Sequence, residues 1–132
     1  MFSRAGEEIA KPAGQTLARW LALEEVADGP ATVAQMARAL GLARQSVQRV
    51  TDLLERDRLI EYSTNPEHQR AQLVRLTPDG RRAMYSIREA QRTWADAIGA
   101  EVGEAELRQA GATVNRLLEV LAQHLSRGRG RR

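Results

Sequence analysis

Arg44, Gln45, Ser46, Gln48 and Arg49 crowd into six positions of a 132-residue chain, and no acid stands between Asp28 and Asp52. Side chains of these types suit one kind of chemistry, the recognition of negatively charged surfaces edged with hydrogen-bonding groups. A guanidinium pairs bidentately with guanine and a carboxamide with adenine, and both also bind phosphate. A second polar group, His68, Gln69 and Arg70, follows about twenty residues later, with Arg75 beyond it. An arginine on a projecting tip is suited to the narrow minor groove, where the negative potential is strongest.

Other chemistries find little material. The chain has no cysteine, which removes disulfides, thiolate metal ligands, cysteine nucleophiles and thiol redox switching together. His68 and His124 are too few and too separated for zinc. Glu7-Glu8 and Glu24-Glu25 are helix neighbours whose side chains diverge, unlike a general acid/base pair. Neither a glycine-rich phosphate loop nor a Ser-His-Asp arrangement is present. The sequence supports no enzyme, no metal and no cofactor.

The charge is distributed to the same effect. The formal net charge is +3. Four arginines and no acid lie in residues 127–132, while residues 35–82 carry nine arginines against six acids. Residues 1–34 and 83–126 are each net acidic. A basic middle between acidic flanks fits a central nucleic-acid surface. No apolar run approaches the ~20 residues that span a bilayer, and the N-terminus has no signal-peptide pattern. The expectation is a cytoplasmic protein without a membrane partner.

The elements that must hold these residues can be read from apolar spacing and breakers. A short helix over about Arg4–Lys11 stops at Pro12, which cannot occupy a helix interior. A second, from Ala13 to about Val26, carries Leu17, Trp20 and Leu21 on one face. Asp28-Gly29-Pro30 forces a turn. Thr32-Val33-Ala34-Gln35 has capping-box spacing and opens a third helix, with Val33, Met36, Ala37 and Leu40 inward and Gly41 ending it. After Gly41 and Leu42 alone, a fourth helix spans about Ala43–Asp57, with Val47, Val50, Leu53 and Leu54 inward. Two helices joined this tightly through a glycine make a helix-turn-helix. Leu59–Tyr62 and Leu73–Leu76 then read as a hairpin with a long polar tip. Thr77-Pro78 starts a further helix, Gly99 and Gly103 bracket a break, and a leucine-rich helix ends near Ser126. The fold class is mainly α with a small β-hairpin.

The stretch Thr32–Gly80 resembles the core of the MarR family, the multiple antibiotic resistance regulators. The pieces LGLARQSVQRVTDLLERDRLI and RAQLVRLTPDG carry the likeness. The resemblance implies a winged helix-turn-helix, here residues 13–82, flanked by dimerisation helices at 1–12 and 83–126, with 127–132 a disordered basic tail. It further implies a sequence-specific, double-stranded DNA-binding transcriptional regulator, a homodimer on a pseudo-palindromic operator. Its residues on DNA would be Thr32, Arg44, Gln45, Ser46, Gln48 and Arg49, with His68, Gln69 and Arg70 on the wing. Repression is often relieved in this family by a small aromatic or carboxylate ligand, for which Trp20 and Trp94 are the candidate lining.

Three positions depart from the family pattern. Ala43 stands where a capping Ser or Thr is usual, at an expected cost of about 1 kcal/mol. Arg58 stands where glycine usually ends the reading helix in a left-handed conformation. His68-Gln69-Arg70 replaces Asp-x-Arg, so Arg70 lacks the acid that would orient it. The competing reading is a winged-helix protein-interaction module without a DNA target. The polar makeup of residues 44–49 opposes it, because protein-binding faces are richer in aromatic and aliphatic groups.

Overall fold

A computed structural model describes residues 2–68 and 70–129. They form two compact units, Met1–Arg92 and Thr93–Arg132. The first holds helices α1 (Phe2–Ala10), α2 (Leu17–Glu24), α3 (Val33–Leu40) and α4 (Arg44–Arg56), strands β1 (Ala31–Thr32), β2 (Ile60–Ser63) and β3 (Leu73–Leu76), and the start of α5 (Pro78–Val102). The second holds the end of α5 and α6 (Glu104–Arg129).

In the first unit, one core gathers Leu23 from α2, Met36 from α3, Val47 and Leu54 from α4, Ile60 and Val74 from the sheet, and Met84 and Ile87 from α5. Each large apolar side chain buried in this way contributes about 1.5–3 kcal/mol. Ile9 of α1 joins this core, so it serves the packing of its own unit. The sheet has order β1-β3-β2 and is antiparallel throughout. Ala31 pairs with Val74 and Ile60 with Leu76, which turns Ile60, Val74 and Leu76 inward and leaves Glu61 and Arg75 facing water. Sequence alternation shows only the β2–β3 hairpin; the two-residue β1 is an addition.

The helix-turn-helix follows local chemistry. The Thr32 hydroxyl accepts from the Gln35 amide at 3.2 Å, while the Gln35 side chain accepts from the Thr32 N–H at 2.8 Å, a complete capping box. Gly41 ends α3 at φ 65°, a left-handed conformation that glycine reaches without a Cβ penalty.

Several boundaries differ from expectation. Helix α2 begins at Leu17 rather than Ala13, because Gly14 adopts φ 67° and the Thr16 hydroxyl caps the Arg19 amide. Its buried residues are accordingly Ala22 and Leu23, with Val26 buried just beyond its end, and Leu21 is exposed. In α4, Leu53 points outward, and Thr51 joins Val47 and Leu54 on the inward face. Gly99 lies inside α5, and only Gly103, at φ 93°, breaks the chain before α6. Helix α6 continues to Arg129, past Ser126. Residues 130–132 of the expected tail lie outside the described residues.

Candidate nucleic-acid interface

The backbone of α4 positions the polar residues. Val47, Thr51 and Leu54 anchor one face in the core, so Arg44, Gln45, Ser46 and Arg49 stand exposed on the opposite side of the first two turns. Gln48 is half-buried. Ala43 occupies the N-cap with no side-chain hydrogen bond, as its methyl requires. The Ala43 carbonyl instead accepts from the Ser46 and Val47 amides at 3.0 and 3.2 Å.

The far end of α4 is fixed more elaborately. Arg58 is the one non-glycine residue with positive φ among the described residues, at 58°. Its N–H reaches the Glu55 carbonyl at 2.8 Å, and the Leu59 N–H reaches the Leu54 carbonyl at 2.9 Å. These two bonds make a Schellman motif with arginine at the left-handed position. The Arg58 carbonyl accepts from the Thr77 hydroxyl at 2.7 Å, and the Leu59 carbonyl accepts from the Thr77 N–H at 3.1 Å. The same Thr77 oxygen caps α5 by accepting from the Gly80 N–H at 3.0 Å. A Cβ on Gly80 would lie 1.9 Å from the Leu59 carbonyl oxygen, so no side chain fits there. Helix α4, the base of the hairpin and the start of α5 thus meet in one hydrogen-bonded junction.

From the other side, Arg19 of α2 bonds Asp57 at the C-cap of α4, Nη2 to Oδ2 at 2.7 Å, while its Nε donates to Gln15. The hydrogen bond from Arg19 holds the Asp57 carboxyl below the usual carboxylate range, against a smaller opposing effect of desolvation.

The hairpin rises beside α4. Asn65 is buried, and its Oδ1 accepts from the Glu67 N–H at 3.0 Å, an Asx turn that Pro66 supports. His68 and Arg70 are exposed, and the His68 carbonyl accepts from the Ala71 N–H. Arg70 has no acidic partner among the described residues, as the absence of the family's wing acid implies. Gln69 lies outside them. A cleft of about 130 Å³ is lined by Thr32, Arg44, Gln48, Tyr62 and Arg70. The start of α3, Arg44 and Gln48 of α4 and the hairpin therefore share one surface. Thr32 is part of it, though its hydroxyl and N–H are engaged with Gln35.

Tyr62 is the residue of this surface that sequence reasoning passed over. Its hydroxyl lies 2.9 Å from Gln48 Nε2, 2.9 Å from Asp52 Oδ1 and 2.8 Å from the buried Thr51 Oγ1. Gln48 Nε2 also donates to Asp52 at 2.7 Å. Burial, foremost, pushes the Tyr62 hydroxyl above its ordinary pKa, so it stays protonated through the physiological range. The four-residue spacing of Gln48 and Asp52 was the available hint.

Trp20 and Trp94 fall in different units. Trp20 packs against the core of the first unit and donates its indole N–H to Glu24, whose other oxygen holds Arg88 at 2.8 Å. Trp94 belongs to the second unit and is exposed. A cleft of about 370 Å³ in the first unit is lined by other residues, among them Asp28, Glu61, Arg75 and Arg81. No described helix is long and apolar enough to cross a membrane. No group of His, Asp and Glu among the described residues is placed to hold a metal ion.

Comparison with known proteins agrees with this architecture. The sequence profile of the MarR family matches residues 13–71. The uncharacterised protein Rv2011c of Mycobacterium tuberculosis is 36% identical over 121 residues, covering 92% of this chain and 85% of that protein. The crystal structure of the MarR family transcription regulator SP03579 superposes with a TM-score of 0.83 at 27% identity, over 95% of this chain and 83% of that one. A mutant of Staphylococcus aureus MepR, bound to an oligodeoxyribonucleotide, superposes with a TM-score of 0.65 at 18% identity, over 89% and 88% of the two chains. With its winged helix-turn-helix, its profile match and these relatives, the chain belongs to the MarR family of DNA-binding transcription regulators.

Proposed function

We propose that the protein is a ligand-responsive repressor that binds a pseudo-palindromic operator as a homodimer, with α4 in the major groove and the β2–β3 wing on the flanking minor groove. One observation carries this reading: Arg44, Gln45, Ser46 and Arg49 are exposed together on the first two turns of α4, on a stretch free of acids, with Arg70 on the same cleft. Arg44, Gln45, Gln48 and Arg49 serve as base-edge and phosphate contacts; Ser46, Thr32, His68, Gln69 and Arg70 complete the footprint. The MepR complex supports the DNA part, since a chain of the same fold is held on an oligodeoxyribonucleotide.

The homodimer reading rests on α6. Val114, Leu117 and Leu118 are each more than half exposed, and Leu107, Val120 and Leu121 nearly so. An apolar run of this size on one 26-residue helix calls for a covering partner. A second copy also supplies the second reading helix, one DNA turn or ~34–36 Å away. In the ligand response, Trp20 and Trp94 remain the proposed aromatic contacts for a small aromatic or carboxylate molecule.

The test is binding of the purified protein to its own upstream intergenic DNA at two salt concentrations with competitor DNA. The expected result is saturable binding at one dimer per site with a steep salt slope. Arg49→Ala is expected to weaken specific binding far more than non-specific binding, and Arg70→Ala to weaken both. Equal losses on every DNA sequence for Arg49→Ala would remove its assigned role. Binding unaffected by salt would favour the protein-interaction module instead.

A further inference from the structure

We propose that Gln48 is clamped by Asp52 and Tyr62 so that it meets DNA with its carbonyl oxygen alone, selecting bases that present an amino group in the major groove. The inference rests on the reading that α4 enters that groove, and adds what this residue does there.

A glutamine carboxamide has two N–H donors and one carbonyl acceptor. The Gln48 nitrogen faces two acceptors, Asp52 Oδ1 at 2.7 Å and the Tyr62 hydroxyl oxygen at 2.9 Å, one for each of its N–H groups. Turned the other way, the amide would set its oxygen against the Asp52 carboxylate, acceptor against acceptor. The orientation is therefore fixed by charge. Thr51 strengthens the arrangement from below. Its own proton goes to the carbonyl of Val47 or Gln48, at 3.1 and 2.9 Å, so its oxygen is open to the Tyr62 proton at 2.8 Å. The single Tyr62 proton goes to Thr51 Oγ1 or to Asp52 Oδ1 at 2.9 Å, and in either case the hydroxyl oxygen stays open as an acceptor for Gln48.

The Gln48 Oε1 atom has no hydrogen-bond partner among the described residues, and the side chain borders the cleft shared with Arg44 and Arg70. An unclamped glutamine pairs with adenine through both groups, donating to N7 and accepting from N6. A clamped one can only accept. Adenine N6 and cytosine N4 satisfy it, whereas guanine O6 and thymine O4 place a second acceptor opposite it. Tyr62 and Asp52 act here as positioning residues. The wing contributes to sequence choice through Tyr62, a residue that need not touch DNA.

The experiment is selection of operator variants from randomised duplexes by the full-length protein, compared with Gln48→Ala, Tyr62→Phe and Asp52→Ala. Far-ultraviolet circular dichroism checks that each variant is folded, and Asp52→Ala opens the clamp from an exposed position should Tyr62→Phe fail to fold. At the position where Gln48→Ala abolishes preference, the unsubstituted protein is expected to accept adenine and cytosine within about threefold and to disfavour guanine and thymine by about tenfold. Tyr62→Phe or Asp52→Ala is expected to free a donor and shift the choice to adenine over cytosine by about tenfold. Specific binding with Gln48→Ala preferences unchanged at every position would overturn the proposal and leave the regulator reading standing. So would an adenine preference already strong before substitution and unchanged in the clamp variants. Absence of any sequence-specific binding by the unsubstituted protein would overturn the regulator reading, and this inference with it.

Discussion

Replacing Arg58 with glycine tests the logic of the α4 terminus. Arg58 holds φ 58° at the left-handed position of a Schellman motif, where a Cβ costs about 1–2 kcal/mol relative to the right-handed region. Glycine removes that cost but gains freedom in the unfolded chain, a penalty of about 0.4–1 kcal/mol. The two combine to a net stabilisation of about 0.5–1 kcal/mol. All three backbone contacts survive the change: Arg58 N–H to Glu55, Leu59 N–H to Leu54 and the Thr77 hydroxyl to the Arg58 carbonyl. The arginine side chain is exposed, so little packing is lost with it. Arg58→Ala is the control, since it trims the side chain but keeps the Cβ, and its stability should stay within about 0.5 kcal/mol of the original. Urea unfolding at one fixed protein concentration reads the difference, because the stability of the proposed homodimer would depend on concentration. With a slope near 2 kcal/mol/M, Arg58→Gly should raise the midpoint by about 0.3 M with the slope unchanged. A glycine variant no more stable than the alanine variant would refute the strain argument, and with it the left-handed end of α4.

Other outcomes follow from the same contacts. Gly80→Ala forces a methyl onto the Leu59 carbonyl oxygen and should destabilise by about 3 kcal/mol or more, read as a large loss of thermal midpoint. A midpoint within a degree of the original would mean the junction has room that the geometry denies. The carboxyl of Asp57 titrates lower in the folded chain than in the unfolded one. Its pairing with Arg19 therefore adds stability above the unfolded value near pH 3.9, and that contribution fades as pH falls through the lower folded value. Asp57→Asn should flatten the acid limb of the unfolding curve, and an identical acid limb would show the pair to be too screened to matter. Ala43→Ser should stabilise α4 by about 1 kcal/mol by capping its first turn, measured in the same urea assay. A loss of stability would place some other group on those amides.

The elements legible from sequence were those specified by their own few residues. The capping box of Thr32 and Gln35, the glycine stop at Gly41 and the Thr77-Pro78 start are complete local signals, and the structure places each where expected. What escaped depends on distant partners. Strand β1 is two residues long and exists only because Ala31 and Thr32 meet Val74 and Leu73. The start of α2 was obscured by helix-forming alanines around Gly14, which suggested a longer helix than the Thr16 cap permits. Gly99 reads as a breaker, yet within a long helix a single glycine costs only about 1 kcal/mol and α5 continues through it. At the candidate site, the exposed set on α4 followed from the spacing of its buried residues. The engagement of Gln48 did not, because Tyr62 stands fourteen residues away on a different element.

The junction of Arg58, Leu59, Thr77 and Gly80 also bears on where the molecule is able to give way. Five backbone or hydroxyl contacts and a glycine with no spare volume weld α4 to the foot of the wing. Helix and wing therefore travel as one rigid tool, and bending between them would break several bonds at once. In the proposed homodimer, control of DNA binding would act on how two such tools are held apart, while the shape of each stays constant. A small molecule acting in this way, as proposed, would shift which half-site spacing is favoured while leaving the base preference within each half-site intact.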